Sequence, residues 1–202
     1  MKVVIIANQS SKHGILTPML EINEKPILYY VLTHFLKEGY DDIILTVPRK
    51  NSSVLEYLKK LTIYEKLYIV EENNPYFEKE EKRARVLVLE RNDDEKTSKT
   101  LDFISKYIGE NAFIFTYGDV LPTIDVEKTL QFHRESSKIA TICAYQPYGS
   151  EKWINLGVMI LENEALDYIK ENDESFEKNA LRRIAEDDEL SIFKENSVAI
   201  SK

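Results

Sequence analysis

The stretch Asn111-Ala-Phe-Ile-Phe-Thr-Tyr-Gly-Asp119 ends an apolar run on one carboxylate. That order is what a buried strand needs if it is to present an acid at its carboxyl end, the edge where open α/β sheets bind ligands. Ala112, Phe113, Ile114 and Phe115 are apolar on both faces, so they predict a central strand covered by helices. Gly118 is expected to let the backbone turn sharply, leaving Asp119 at the rim with two oxygens suited to a divalent cation. The plain alternative is a strand-ending turn, because Gly-Asp is a common loop dipeptide.

The elements that must position Asp119 follow from hydrophobic periodicity. Val3 to Ala7 reads as a buried strand, Ile27 to Glu38 as a helix with Ile27, Val31, Leu32, Phe35 and Leu36 on one face, and Asp42 to Val47 as the next strand. A helix from Ser52 to Leu61 follows, with Ser52 or Ser53 as N-cap, then short strands at Leu67 to Glu71 and Arg85 to Leu89. Thr100 to Ile108 and Val126 to Ser136 read as helices on either side of the strand leading to Asp119, and Ala140 to Tyr145 as a strand. The last third predicts a strand at Val158 to Leu161, helices at Glu164 to Asn172 and Ser175 to Glu186, and a strand at Leu190 to Phe193. Strands alternating with helices imply an α/β fold with a largely parallel sheet and right-handed crossovers. No linker or repeat divides the chain, so residues 1–202 are expected to form a single domain. Glu71 to Arg85, polar, aperiodic and containing Pro75, is expected to be an exposed excursion.

Composition removes several function classes. The chain has 202 residues, 43% of them hydrophobic, which is enough for a sizeable core. A formal net charge of -8 argues against a general nucleic-acid binder, which needs cationic surface to displace counterions from phosphates. Cys143 is the only cysteine, so no internal disulfide or cysteine zinc site can form, and a reducing compartment is the simplest setting. No apolar run approaches membrane-spanning length, and the N-terminus enters directly with Lys2-Val-Val-Ile-Ile6. A cytoplasmic protein that binds neither membrane nor nucleic acid is expected.

Pro18-Met19-Leu20-Glu21-Ile22, Lys25-Pro26-Ile27-Leu28, Phe113-Ile-Phe-Thr-Tyr-Gly-Asp119, Asp125, Phe132-His133 and Ile154-Asn155-Leu156-Gly157-Val158 occur in an order that resembles the sugar-1-phosphate nucleotidyltransferases, especially the glucose-1-phosphate cytidylyltransferase branch. The resemblance implies a three-layer, Rossmann-like nucleotide-binding fold. It also implies a reaction that joins a nucleoside triphosphate to a sugar 1-phosphate and releases pyrophosphate. The partners it implies are a nucleotide or nucleotide sugar and a sugar phosphate, with Mg²⁺ held by Asp119. Carried over by position, Lys12 and Asp119 would be catalytic. Ala7, Asn8, Gln9, His13, Thr97 and Gly118 would bind the nucleotide, and Lys152, Asn155 and Gly157 the acceptor.

The departures from that pattern bear on chemistry. Where the family has a glycine-rich turn ending in Gly-Thr-Arg, this chain has Ala7-Asn-Gln-Ser-Ser-Lys-His-Gly14, so paired glycines become Asn8 and Gln9 and the arginine position falls near Lys12 or His13. A lysine offers a point charge but not a bidentate fork. The lysine before Pro18 is replaced by Thr17, and the Thr-Gly-Gly-Arg base loop by Thr97-Ser98-Lys99-Thr100, which reads more readily as a helix N-cap at Thr97 or Ser98. The family's second metal carboxylate has no aspartate at Ser197 to Lys202. Three readings stay open: an enzyme with a reduced active site, a pseudoenzyme or non-catalytic partner keeping the fold, and a transferase that binds a finished nucleotide sugar. The depleted charge set favours a divergent member that binds nucleotide with weak or absent pyrophosphorylase activity. An oligomer or protein partner is left open.

Overall fold

The computed structural model describes residues 1–10, 14, 16–49, 53–65, 67–71, 84–92 and 95–195. The chain gathers into two compact units, Met1–Glu95 with Tyr117–Leu121, and Lys96–Thr116 with Pro122–Lys202. In the first unit, β1 (Lys2–Ile6) buries Val3, Val4, Ile5 and Ile6 completely, as a run without a polar face must. A small hairpin follows, β2 (Glu21–Ile22) against β3 (Lys25–Pro26). Asn23 and Glu24 turn it with φ of 49° and 65°, the left-handed pair that a tight hairpin requires. α1 (Ile27–Lys37) buries Leu28, Val31, Leu32 and Phe35 along one stripe. It closes where Gly39 N–H bonds Leu36 O and Tyr40 N–H bonds Phe35 O, a Schellman ending. β4 (Asp42–Pro48), α2 (Ser53–Glu65), β5 (Leu67–Glu71) and β6 (Ala84–Arg91) complete the unit. Its strands lie in the order β1-β4-β6-β5, all parallel, so the connections between them must cross over.

The second unit contains α3 (Thr97–Ile108), β7 (Phe113–Tyr117, its last residue grouped with the first unit), α4 (Val126–Ser136), β8 (Ala140–Tyr145), β9 (Ile154–Leu161), α5 (Ala180–Glu186) and β10 (Leu190–Glu195). Its strand order is β7-β9-β8-β10. β8 and β10 are parallel, while β9 runs antiparallel to both its neighbours within the largely parallel sheet read from the sequence. An apolar strand carries no mark of its direction, and only the route of the chain sets it. The α/β class with a mostly parallel sheet stands.

Two predicted helices are corrected. Glu164 to Asn172 is a short 3₁₀ segment, Asn163–Tyr168, and Ser175 to Glu186 is helical only from Ala180. The cause is side-chain competition for backbone donors. The Asp173 carboxylate accepts from Lys170 N–H, and Asn179 Oδ1 accepts from the N–H groups of Glu174 and Ser175. Phe176 sits between these turns, fully buried with its ring edge-on to Phe115 at 6.0 Å. The central strand is also shifted, from Ala112–Phe115 to Phe113–Tyr117.

Candidate functional site

Beyond β1, Ala7 N–H still donates to Thr46 O at 2.9 Å, which holds the start of the loop against β4 and leaves Asn8 only 7% exposed. The chain that follows β7 arrives at the same point, with Gly118 N–H donating to Ile6 O at 2.8 Å. The approach is so close that a Cβ on Gly118 would stand 2.6 Å from Ala7 Cβ and 3.3 Å from Pro18 Cβ. Gly118 is not among the glycines with positive φ. The expected reason for this glycine is therefore corrected: it is needed for contact with Ala7, not for a special turn conformation.

Asp119 comes next, half-buried, and its Oδ2 accepts a hydrogen bond from the Thr17 hydroxyl at 2.6 Å. At that length the hydroxyl makes a short hydrogen bond to the carboxylate. Thr17 opens the 3₁₀ turn Thr17–Met19, its N–H donates to Gln9 O at 3.0 Å, and its hydroxyl lies 3.2 Å from the same carbonyl. Ile6–Gln9 and Thr17–Pro18, close in sequence, thus meet Gly118–Asp119, which lies 102 residues beyond Thr17, in one cluster within the first unit. Gln9 Oε1 and Thr46 Oγ1 are buried without hydrogen-bond partners among the described residues, a cost this strand edge carries.

Asp119 makes no ion pair with Lys or Arg among the described residues, and its Oδ1 has no hydrogen-bond partner among them. Nor do the described residues contain a group of three or more His, Cys, Asp or Glu able to cage a metal. One half-exposed carboxylate, with one oxygen held by a hydroxyl and the other open, fits Mg²⁺, which takes few protein oxygens and keeps water or phosphate as its other ligands.

Lys12 and His13 lie outside the described residues, as do residues 72–83 of the expected excursion. Thr97 is the first residue of α3, whose N-cap is Lys96 with no side-chain capping bond. The N-cap reading of Thr97 and Ser98 is therefore corrected: Lys96 takes the extended cap conformation, so both are already helical. Lys96 Nζ instead pairs with Glu174 at 2.9 Å. Asn155 and Gly157 are brought together where the β8–β9 register breaks between Ile142 and Ala144. Asn155 Oδ1 accepts from Gly157 N–H at 2.8 Å, Gly157 adopts φ 73°, and its carbonyl accepts from Thr116 Oγ1 at 3.0 Å. Asn155 therefore keeps its amide NH₂ and one lone pair of Oδ1 for a ligand. Lys152 is exposed after a turn in which its N–H donates to Ser150 Oγ, and neighbouring Trp153 lies under Lys194 Nζ. The partnership of Thr17 with Asp119 was not visible in the sequence, where Thr17 stood only as a substituted lysine.

The chain belongs to the nucleotidyl transferase family, whose pattern it matches over residues 13–171. Among curated relatives, the glucose-1-phosphate cytidylyltransferase of Salmonella typhimurium is 25% identical over 224 residues, covering 96% of this chain and 87% of the relative. The probable glucose-1-phosphate cytidylyltransferase of Bacillus subtilis is 22% identical, covering 88% and 79%. Solved structures similar to it include HddC from Yersinia pseudotuberculosis complexed with GMP-PN, with TM-score 0.70 at 21% identity over 98% of this chain and 91% of that one. The inositol-1-phosphate CTP transferase from T. maritima has TM-score 0.70 at 10% identity over 96% and 84%. These likenesses show the three-layer nucleotidyltransferase fold, and the resemblance read from the sequence motifs is borne out.

Proposed function

We propose that this protein binds a nucleoside triphosphate, or the nucleotide sugar made from it, at the cluster of Ala7, Asn8, Gln9, Thr17, Gly118 and Asp119, with Asp119 holding Mg²⁺. We further propose that it transfers the nucleotidyl group to a sugar 1-phosphate slowly or not at all. The observation that carries this reading is the Thr17–Asp119 hydrogen bond: the strand-end carboxylate is positioned and half-exposed, but the group that meets it is neutral. In nucleotidyl transfer, a phosphate oxygen of the acceptor attacks the α-phosphorus and the bond to the pyrophosphate leaving group breaks. Such reactions are accelerated mainly by placing positive charge around the phosphates. Bound Mg²⁺ would supply part of that charge. Each protein donor missing from the transition state costs roughly 10²–10³ in rate. By family position, Lys12 and His13 would face the phosphates, Thr97 the base, and Lys152, Asn155 and Gly157 the acceptor.

Calorimetry with CTP, UTP, dTTP, ATP and CDP-glucose, with and without Mg²⁺, together with pyrophosphate release from each triphosphate and glucose 1-phosphate, tests the proposal. Mg²⁺-dependent heat that disappears in Asp119→Asn is expected, with turnover below ~0.1 s⁻¹ against a typical enzyme median of ~10 s⁻¹. Rapid turnover that Asp119→Asn abolishes would establish a full pyrophosphorylase instead. No heat with any nucleotide at millimolar concentration would leave only the interaction-protein reading.

A further inference from the structure

We propose that Thr17 is the positioning residue of Asp119, a single-proton donor that sets which carboxylate oxygen faces a bound cation; this rests on the nucleotide-binding reading above. The Thr17 hydroxyl lies within reach of two acceptors, Asp119 Oδ2 at 2.6 Å and Gln9 O at 3.2 Å. A threonine hydroxyl has one proton, and neither acceptor can supply another. The shorter contact, to the carboxylate, takes it. Gln9 O loses little, because Thr17 N–H already donates to it at 3.0 Å. The carboxylate is thus fixed through Oδ2, and Oδ1, without a partner among the described residues, is the oxygen left for a cation.

The arrangement is also anchored from behind. Pro18, the next residue, lies against Gly118, and Gly118 N–H is bonded to Ile6 O. Thr17 therefore ties Asp119 to the Ala7–Gln9 loop, its hydroxyl on the carboxylate and its N–H on Gln9 O.

The test is Mn²⁺ binding, read by the paramagnetic resonance of free Mn²⁺ with and without CTP, in wild type, Thr17→Val and Thr17→Ser. Removing a group that orients a metal-binding side chain typically weakens metal affinity by ~10-fold or more. Thr17→Val is expected to weaken Mn²⁺ binding in the presence of CTP by about tenfold, and Thr17→Ser, which keeps the hydroxyl, to stay near wild type. If Thr17→Val does not fold, Thr17→Ala against Thr17→Ser makes the same comparison. Equal Mn²⁺ affinity in wild type and the hydroxyl-free variant overturns the proposal alone. Loss of binding in Thr17→Ser as severe as in Thr17→Val overturns it too, since packing rather than the hydroxyl would then be responsible. A wild type that binds no Mn²⁺ with CTP overturns the nucleotide reading, and this proposal with it.

Discussion

Gly118 and Asp119 adjoin in sequence, yet they are expected to fail in different ways when changed. In Gly118→Ala the new Cβ meets Ala7 Cβ at 2.6 Å, and neither atom can swing away, because both are bound directly to backbone. Relief requires the segment after β7 to part from the end of β1, straining the bond from Gly118 N–H to Ile6 O. Overpacking of this kind costs about 1–3 kcal/mol, and it should carry Asp119 away from Thr17. Asp119→Asn keeps volume and still offers an oxygen to the Thr17 hydroxyl, so its stability is expected to stay within about 0.5 kcal/mol of wild type. Urea unfolding with a thermal-shift titration of CTP and Mg²⁺ separates the two: Gly118→Ala should lose both stability and response, Asp119→Asn the response alone. A Gly118→Ala protein as stable as wild type would show that the strand end yields more easily than its contacts imply.

At the scale of elements, legibility followed the kind of signal. Leu67–Glu71, Val126–Ser136 and Ala140–Tyr145 were readable to the residue because apolar spacing alone defines them. The helices before and within α5 were not, because Asp173 and Asn179 divert backbone donors that periodicity takes for granted. Asp119 was legible as a strand-end acid. Its partner Thr17 was not, because a hydrogen bond across 102 residues leaves no local pattern. The seam of β8 and α4 makes a further expectation measurable. Burial pushes the Cys143 thiol up to about 12, opposed by its hydrogen bond to Thr129 Oγ1. A cysteine in the unfolded chain ionises near ~8.5. The folded-state value is raised, so this contribution to stability is full below ~8.5 and is lost as pH rises toward about 12. Between pH 7 and 10 the stability of wild type relative to Cys143→Ala should fall by about 2 kcal/mol in urea titrations. A difference that stays constant over this range would mean the thiol is not held neutral by burial.

At the scale of the whole molecule the controlling quantity is charge. The sequence carries 35 acids against 27 lysines and arginines, a formal net charge of -8, so an approaching triphosphate meets a protein of its own sign. No helix of the described residues is long and apolar enough to cross a membrane, and the acidic balance argues equally against anionic lipid surfaces. The proposed site has to overcome that repulsion locally, and among the described residues no lysine or arginine pairs with Asp119. Salt should therefore act opposite to its usual effect on phosphate-binding proteins. The screening length shrinks from ~30 Å at 0.01 M to ~10 Å at 0.1 M, which removes long-range repulsion while leaving contacts inside the site nearly intact. At sub-saturating Mg²⁺, CTP affinity measured by calorimetry is expected to rise about twofold as NaCl goes from 10 to 100 mM. With saturating Mg²⁺, which cancels part of the nucleotide's charge before it arrives, the dependence should flatten. Weakening with salt would instead show that cations near the first strand's loop, Lys12 foremost among those the sequence places there, outweigh the net charge, and it would return the site to the fully charged pattern of its family.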